Sequence, residues 1–355
     1  MGLFSPAPSE VSYVGIDIAY GGIKLVELRN EKGRARLNTY AYASVPADAI
    51  DQSLVQDTDY TADLLKKMLA QARVSTKKAV SVIPISSVFS SILNVPTTVE
   101  KEVHEAVVTQ AKKLIPMPIE DVFLDTTIID STQKSETEKA STRVLVSAAP
   151  MTLINKYKEI FKKTGLELTA LETEVQAMIR SLIGRDRATI MVVDIGSLRT
   201  NIIIVERGIP VISRSIATGG NAITETIAKT LGIPLDQAES MKRDIKSMQT
   251  FAPTGDLSPI LSVLLKAIVD EIRYSFSLYQ SPEMGGSQKR IEKIIVTGGS
   301  SLLPRLSEFL TQQLGVNTYL GNPWARVVYP LDLRPVLEEM GPRFAVSIGC
   351  AMRDI

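Results

Sequence analysis

The chain has 355 residues, of which 45% are hydrophobic and 22% are charged, and its formal net charge is +1. This composition is typical of a soluble globular protein with two or more domains, and the near-zero charge argues against a basic nucleic-acid binder or a polybasic membrane anchor. The single cysteine excludes an internal disulfide, and no apolar run reaches the roughly 18–20 residues of a membrane helix.

A Gly-rich turn organises the first part of the chain. The first ten residues, MGLFSPAPSE, lack the basic and apolar regions of a secretory signal, so we predict a flexible tail at 1–10. The sequence VGIDIAYGGIKLVEL at Val14–Leu28 then predicts a hairpin, because two apolar runs flank a turn rich in glycine. The elements predicted for residues 11–83 are strands Tyr13–Ala19, Gly22–Arg29 and Arg34–Val45, helix Thr61–Ala72 and strand Lys78–Ile83.

A different unit begins at Pro84. Apolar residues recur at helical spacing up to Leu114, and the Pro-rich sequence IPMP at 115–118 ends that helix. The wholly polar stretch Ser131–Thr142 is predicted to be a mobile loop between two paired strands. Residues 84–149 therefore form a small α+β insert that is long enough to recognise a partner. Its predicted elements are strand Val88–Val95, helix Thr98–Leu114 and strands Val122–Asp130 and Arg143–Ala149.

A second hairpin resembles the first one at an offset of about half the chain. The sequence MVVDIGSLRTNIIIVE at Met191–Glu206 again has an apolar run that ends in an acid, a Gly-bearing turn and a second apolar run. Aligning Asp17 with Asp194 also aligns Ile18 with Ile195. A repeat this long indicates a duplicated domain, because solenoid repeats are roughly 20–50 residues long.

The remaining elements follow the same periodicity arguments. Before the second hairpin, the sequence predicts helix Met151–Thr164, strand Leu166–Leu171 and helix Glu174–Gly184. After it, the sequence predicts strand Ile209–Ile216, helices Thr224–Leu231 and Asp236–Ile245, a Pro/Gly linker at Phe251–Asp256, one long helix at Ser258–Gln280, strand Ile291–Thr297, helix Leu303–Leu314, strand Val316–Leu320 and helix Arg343–Met352.

The two acidic hairpins predict a phosphate and metal site. Backbone N–H groups of a tight turn form a seat for anions, and Mg2+ prefers one or two carboxylates together with phosphate oxygens. We expect the Asp17 and Asp194 turns to face each other and to clamp a nucleoside polyphosphate. The alternative is a pair of ordinary core strands that end in aspartate, because motif matches without structural context are hypotheses.

Further candidates carry alternatives of their own. Gly298-Gly299 between a strand and a helix permits a close approach of backbone to a ligand, but the same pattern also serves tight strand–helix packing. Glu239 and Lys242 share a helix face and could contact a ribose and base, although spacing alone favours a surface ion pair. His104 and Cys350 have no partners that would make a metal site or a nucleophile.

The order of these motifs resembles the actin-like ATPase superfamily, and within it the PilM family of type IV pilus assembly proteins. The residues that carry the resemblance are VGIDIAYGGIKLVEL at Val14–Leu28, EAVVTQAKKLIPMPIEDVFLD at Glu105–Asp125, VTGGSSLLPRLSEFLTQQLGVN at Val296–Asn317, GNPW at Gly321–Trp324 and GPRFAVSIGCAMR at Gly341–Arg353. The resemblance implies an α/β protein of the actin-like ATPase fold, with two duplicated ribonuclease-H-like lobes and an FtsA-type 1C insert. The implied domains are the tail at 1–10, a first lobe (1A) at 11–83 and 150–188, the 1C insert at 84–149, and a second lobe (2A) at 189–355 with 2B at about 234–290.

The resemblance also implies ATP and Mg2+ as cofactors and assigns their contacts. Asp17 and Asp194 would hold Mg2+ through water, and the first phosphate turn here is Ala19-Tyr20-Gly21-Gly22 where relatives have serines. This departure keeps the backbone amides but loses hydroxyl contacts, so ATP binding is better supported than turnover. Glu174 is the candidate for activating water. The remaining implied contacts are Lys24, Gly196 and Ser197 with the phosphates, Gly219, Gly220 and Asn221 with ribose and phosphate, Glu239 and Lys242 with adenosine, and Gly298, Gly299 and Ser300 in the adenosine motif.

As a partner, the resemblance implies the N-terminal tail of a PilN-like inner-membrane protein, bound in the groove between 1A and 1C. Contacts with pilus motor ATPases and self-association are further implications. We therefore expect a cytoplasmic protein at the inner face of the membrane with no nucleic-acid partner. The related machine could equally be type II secretion. An FtsA-like cell-division protein and a sugar or acid kinase are the alternatives, and a kinase would need a substrate-binding acid as general base.

Overall fold

A computed structural model describes residues 11–45, 53–132, 140–244, 257–284, 286 and 288–355. The strands described, in chain order, are β1 Ser12–Ala19, β2 Gly22–Glu31, β3 Arg34–Ser44, β4 Lys78–Ile83, β5 Phe89–Val95, β6 Val122–Thr132, β7 Ser141–Pro150, β8 Glu167–Thr173, β9 Ile190–Ile195, β10 Thr200–Glu206, β11 Ile209–Ile216, β12 Lys293–Thr297, β13 Thr318–Leu320 and β14 Val327–Val328. The helices described are α1 Thr58–Gln71, α2 Glu100–Leu114, α3 Met151–Thr164, α4 Glu174–Met178, α5 Gly220–Leu231, α6 Leu235–Arg243, α7 Ser258–Leu264, α8 Lys266–Tyr279, α9 Leu306–Leu314, α10 Arg334–Met340 and α11 Ala345–Ala351.

Two of the three sheets described share one topology. The first has the order β14-β3-β2-β1-β4-β8, and the second has the order β11-β10-β9-β12-β13. In each, an antiparallel meander of three strands is followed by two parallel strands. Asp17 and Asp194 lie near the ends of the equivalent central strands β1 and β9. The equivalence matches the repeat that the sequence predicts.

The third sheet, β5-β7-β6, lies between β4 and β8 in chain order. Helix α2 packs on it through side chains that recur every three or four residues, namely Val103, Val107 and Ala111. These bury against the apolar face of the sheet, including Val144 and Val146. Because this core contains only residues of the stretch from β5 to β7, the insert has an apolar centre of its own.

The two large sheets meet across a shared apolar layer. One cluster joins Val80 and Val82 of β4 with Ile190 and Val192 of β9 and Ile203 of β10. Helices α4 and α11 contribute to the same cluster. The outer face of the first sheet is covered by α1 and α3, and that of the second by α5, α7, α8 and α9. The sheets are thus held with α4 and α11 between them, and a cleft lies beside this layer.

Two glycines bring α11 close to the first sheet. A β-carbon at Gly15 would lie 2.0 Å from the Ser347 carbonyl oxygen, and one at Gly349 would lie 1.9 Å from that of Ala177. Only a residue without a side chain fits at either contact. Helix α11 therefore lies against β1 and α4 at backbone distance.

Most predicted elements are present, and five helices differ. The predicted helix Thr224–Leu231 begins one turn earlier, at Gly220. The predicted helix Ser258–Gln280 is interrupted at the buried Leu265, whose ψ of 6° separates α7 from α8. The predicted helix Glu174–Gly184 changes after Met178 to a wider π-helical turn. Predicted helices at Leu303–Leu314 and Arg343–Met352 begin later, after short 3-10 turns. Helix α10 is missing from the prediction. The tail at 1–10, most of the loop in Ser131–Thr142 and the linker Phe251–Asp256 lie outside the described residues.

Candidate functional site

A cleft of about 320 Å3 lies between the two large sheets and is lined by both acidic turns. Its volume is within the roughly 300–1,000 Å3 of small-molecule sites. Most of the residues predicted as site residues line it, namely Asp17, Ala19, Gly21, Lys24, Glu174, Asp194, Gly196, Ser197, Gly220, Asn221, Glu239, Lys242, Gly298, Gly299 and Ser300. Tyr20, Gly22 and Gly219 are absent from the lining. The structure therefore brings together residues that are far apart in the chain.

Asp17 and Lys24 face each other in the first hairpin. They are directly paired across β1 and β2, and the Lys24 Nζ lies 3.3 Å from Asp17 Oδ2. Burial alone would lower the pKa of Lys24, but the Asp17 carboxylate, together with Tyr42 and Asp194, outweighs burial and raises it. Lys24 therefore stays protonated and supplies a fixed positive charge to the cleft wall.

Two further carboxylates face the same space. Burial, reinforced by the charge of Asp17, raises the pKa of Asp194 to about 6 and that of Glu174 to about 8. The side-chain amide of Asn201 joins them, because its Nδ2 lies 3.3 Å from Glu174 Oε2 and 3.3 Å from Asp194 Oδ2. Buried carboxylates that repel each other favour a proton or a cation between them.

The Asp194 turn is fixed by its own backbone. The N–H of Gly196 donates to Arg199 O at 2.9 Å, that of Gly220 donates to Gly196 O at 2.8 Å, and that of Asn221 donates to Ser197 O at 2.8 Å. The first bond closes the turn, and the other two hold the turn against the start of α5. Gly219, although outside the lining, permits this packing, since a β-carbon there would lie 2.6 Å from Ser197 O.

Glu239 and Lys242 are not a surface pair. Lys242 is only 5% exposed. Its Nζ donates to Gly220 O at 3.0 Å and to Thr224 Oγ1 at 2.9 Å, and it pairs with Glu239. Burial lowers the pKa of Lys242, and the Glu239 charge opposes that effect. Helix α6 is thereby fastened to the first turn of α5 at the edge of the cleft.

The diglycine turn after β12 packs closely on the second hairpin. Gly298 has a φ of +85°, and a β-carbon there would lie 2.4 Å from Asp194 Oδ1. A β-carbon at Gly220 would lie 2.1 Å from Ser300 Oγ. Both glycines are required for close approach, so the pattern serves packing and also forms the cleft wall.

Sequence analysis missed part of the lining. Tyr42 lies opposite Lys24 in the pairing of β2 with β3, so strand alternation could have identified it. The Arg343 guanidinium lies 5.7 Å from the centre of the Tyr42 ring. No sequence signal identified Arg343. The other missed lining residues are Ser44, Val45, Arg243, Pro342, Ala345 and Val346.

A small side pocket of about 60 Å3 adjoins the cleft and contains Tyr20. It shares Glu174 and Asp194 with the cleft and is also lined by Pro84 and Asn201. Tyr20 therefore lies beside the cleft, in a pocket that shares two of its carboxylates.

A separate shallow pocket of about 30 Å3 lies where the insert meets both large sheets. The insert contributes Ile85, Val88, Ser90, Leu145 and Ser147. We call this pocket the insert groove. Its other lining residues are Thr173, Val175, Gln176, Pro210 and Ser213.

The histidine and the cysteine of the chain lie away from the cleft lining. His104 is exposed on α2, and Cys350 is buried in the apolar layer. In the part of the chain that the structure describes, no three histidine, cysteine or carboxylate side chains cluster as metal ligands. Any metal in the cleft would therefore need water or phosphate oxygens among its ligands, which is the coordination that Mg2+ prefers.

Comparison with known proteins identifies the family. The family model "Type IV pilus assembly protein PilM" matches residues 15–355. The chain belongs to the PilM family. A solved PilM–PilN type IV pilus biogenesis complex is similar to this PilM-family chain, with 27% identity, coverage of 97% of this chain and 98% of that one, and a TM-score of 0.79.

More distant relatives agree with this fold. MreB5 of Spiroplasma citri, solved with ADP, has a TM-score of 0.51 at 14% identity and covers 96% of this chain and 95% of that one. The cell division protein FtsA of Neisseria meningitidis is 21% identical over 359 residues, which is 88% of this chain and 83% of FtsA. The predicted α/β class, actin-like fold and family are thus confirmed, and the chain is an actin-like protein of type IV pilus assembly. Among the described residues, no helix is both long and apolar enough to cross a bilayer.

Proposed function

We propose that the chain binds ATP with Mg2+ in the cleft and uses the insert to dock the N-terminal tail of a PilN-like inner-membrane protein. The observation that supports nucleotide binding is the meeting of the Asp17 and Asp194 turns in one cleft with the buried Lys242. Acidic turns from both halves and a buried cation at the far edge suit a ligand with phosphates at one end and a polar ring system at the other.

The residues present fit a nucleotide and its cation. Asp17 and Asp194 supply the carboxylates that Mg2+ takes through water, and Lys24 supplies a positive charge beside them. Bound Mg2+ would screen the phosphate charges from these carboxylates. The glycines at 220 and 298 let Ser300 and Asp194 pack closely against the backbone of the cleft wall. Glu239 and Lys242 lie where a ribose or base would be held, and Arg343 closes that end.

Hydrolysis would be slow at most. A general base must be ionised at the operating pH. The raised pKa of Glu174, about 8, keeps most of this residue protonated at neutral pH. Glu174 Oε2 is also engaged by the Ile85 N–H at 2.9 Å. We therefore propose a nucleotide-dependent scaffold, in which binding matters more than turnover.

The partner proposal draws on the similar PilM–PilN complex. In this proposal residues 84–149 are the recognition insert, residues 11–83 and 150–188 are the first lobe, and residues 189–355 are the second. The tail would bind along the insert groove and hold the protein at the cytoplasmic face of the inner membrane. Contacts with motor ATPases and between copies of the chain belong to the same proposal.

Nucleotide binding is tested by titrating the purified chain with a fluorescent ATP analogue, with and without Mg2+. We expect saturable, Mg2+-dependent binding, and a loss of about tenfold or more in the Asp194→Asn variant, which corresponds to about 1.4 kcal/mol. The matched control is Asp130→Asn in the exposed pair with Arg143. If Asp194→Asn and Asp130→Asn bind the nucleotide equally well, the nucleotide does not bind in the cleft.

The partner is tested with a synthetic peptide of the PilN-like tail, titrated with and without ATP·Mg2+. Allosteric coupling is typically about 5–150-fold in affinity, and it requires that ATP prefer one conformation of the cleft. We expect a change of at least about fivefold in peptide affinity. Equal peptide affinity with and without ATP·Mg2+ would contradict the coupling but not the docking. If the peptide does not bind in either state, the proposed partner is wrong.

A further inference from the structure

Glu174 stands between the cleft and the insert groove. Its side chain lines both the cleft and the side pocket, while its neighbours Thr173, Val175 and Gln176 line the insert groove. It is the first residue of α4 and directly follows β8, the edge strand of the first sheet. Glu174 therefore lines the cleft, while the residues on either side of it in the chain line the insert groove.

The carboxylate of Glu174 is bonded to the entrance of the insert. Ile85, which follows β4 and leads into β5, donates its backbone N–H to Glu174 Oε2 at 2.9 Å. Ile85 also lines the insert groove. A displacement of the Glu174 carboxylate would break this bond or carry the Ile85 backbone with it.

A second connection reaches the opposite wall of the groove through Asn201. The Asn201 Oδ1 accepts a hydrogen bond from Ser215 Oγ at 2.7 Å. Arg199 fixes that hydroxyl by donating from Nε to Ser215 Oγ at 2.9 Å. Ser215 lies on β11, and β11 also contributes Pro210 and Ser213 to the groove. Both walls of the groove are therefore bonded to the Glu174–Asn201 pair.

Asn201 connects this pair to the proposed phosphate site. Its Nδ2 lies 3.3 Å from Asp194 Oδ2 and 3.3 Å from Glu174 Oε2, so one amide group serves both carboxylates. Glu174 and Asn201 are each 8% exposed. In such low-dielectric surroundings the loss of one hydrogen bond is energetically costly, because the unpaired group is shielded from water. The remaining hydrogen bonds of the network therefore rearrange.

We propose that Glu174 and Asn201 are positioning residues that couple occupancy of the cleft to the geometry of the insert groove. This inference rests on nucleotide binding in the cleft. A ligand that binds the Asp194 carboxylate weakens the hydrogen bond that this carboxylate accepts from the Asn201 amide. The amide then turns toward Glu174, and the bonds to Ile85 and Ser215 shift with it. The two walls of the groove move together, because both are attached to the same amide–carboxylate pair.

The test is amide hydrogen exchange of the full chain with and without ADP·Mg2+, read on peptides that cover 84–95 and 209–216. The variants are Glu174→Ala, which removes the acceptor shared by the Ile85 N–H and the Asn201 amide, and Asn201→Ala. Each is first titrated to determine its own affinity and is then compared at saturating nucleotide. Asn94→Ala, at an exposed position on β5, is the matched control.

We expect nucleotide to change exchange in both segments of the unmodified chain and of Asn94→Ala, and this difference to be lost in Glu174→Ala and Asn201→Ala. If nucleotide binds the unmodified chain but leaves both segments unchanged, the coupling is wrong while the proposed function survives. If the difference persists in both variants, the coupling does not pass through these residues. If nucleotide does not bind at all, the proposed function and the coupling both fail. Should Asn201→Ala fail to fold, Glu174→Ala alone decides.

Discussion

Gly21 of the first acidic turn lies directly against Ser197 of the second, so that a β-carbon at position 21 would lie 2.8 Å from Ser197 Oγ and 3.0 Å from its β-carbon. The two residues lie in the turns of hairpins from different sheets and are far apart in the chain. Both line the cleft, so their contact joins its two walls. A change in the separation of the walls would therefore change this contact.

A larger residue at position 21 should hold the turns apart. For Gly21→Val we expect nucleotide affinity to fall by roughly fivefold or more, because overpacking costs about 1–3 kcal/mol. Isothermal titration with ADP·Mg2+ measures the loss. Ser197→Gly alone should bind nearly as the unmodified chain does, and the double variant should regain affinity. A double variant as weak as Gly21→Val would mean that the contact with Ser197 is not the cause.

Replacing Gly298 by alanine should cost more stability than the same change at Gly315, because only Gly298 packs against other atoms. Both have positive φ. Gly315 is left-handed helical, where alanine costs about 1–2 kcal/mol, and Gly298, with a φ of 85° and a ψ of 168°, lies in a region almost restricted to glycine, where alanine costs about 1–3 kcal/mol. At Gly298 the added β-carbon would also meet Asp194 Oδ1 at 2.4 Å, whereas at Gly315 it would meet nothing within 4 Å. Urea unfolding should show a larger loss of stability for Gly298→Ala, and only this variant should lose nucleotide affinity. Matching losses in the two variants would contradict the steric argument.

Lys242 should contribute far more than an ordinary helical ion pair. In Lys242→Met the Gly220 carbonyl and Glu239 lose a buried donor, which costs roughly 1–3 kcal/mol of unfolding free energy. In the exposed pair Lys266–Asp270, Lys266→Met should cost about 0–1 kcal/mol. Urea unfolding of both variants gives the comparison. Indistinguishable midpoints would restore the interpretation of Lys242 as a surface residue.

Glu174 should make stability fall as pH rises. Its pKa is about 8 in the folded chain and about 4.3 in an unfolded one. Between these values the folded state binds a proton that the unfolded state does not, so the free energy of unfolding decreases with increasing pH. Glu174→Gln cannot ionise and escapes this loss. Its stability relative to the unmodified chain should rise between pH 5.5 and pH 8, by at most about 1.4 kcal/mol per pH unit.

That prediction is checked by urea unfolding at both pH values. Glu206→Gln is the control, since the Lys289 ammonium and other hydrogen-bond donors hold the pKa of Glu206 below its usual value despite its partial burial. Glu206 is then ionised throughout this pH range, and its replacement should give a constant difference. A constant difference for Glu174→Gln as well would show that Glu174 does not carry the proton.

Repetition made the centre of the fold predictable. The alignment of Asp17 with Asp194 anticipated two sheets with the same strand order, because a duplicated sequence pattern specifies a duplicated topology. The burial of Lys242 was not predictable, since helical spacing reports which side chains share a face but not what packs on that face. The partner of Lys242 is a backbone carbonyl on another helix, at Gly220.

The errors have similar causes. The interruption at Leu265 is invisible to periodicity, because the apolar stripe continues on both sides of it. Helix α10 was overlooked in a Pro-rich stretch, although Pro335 lies in its first turn, where proline favours a helix start. Arg343 enters the cleft only because α11 lies against the first sheet. Such long-range contacts are set by tertiary packing and leave no local pattern.

The backbone contact between Gly15 and Ser347 also has a consequence for synthesis. Strand β1 is covered by helix α11, which is synthesised more than three hundred residues later. At a synthesis rate of roughly 5–20 residues per second, helix α11 is completed on the order of tens of seconds after β1. The inner surface of the first sheet lacks this helix until then. During that interval apolar strands stand exposed in the nascent chain, which makes the protein a natural client for chaperones and a poor candidate for folding while still being translated.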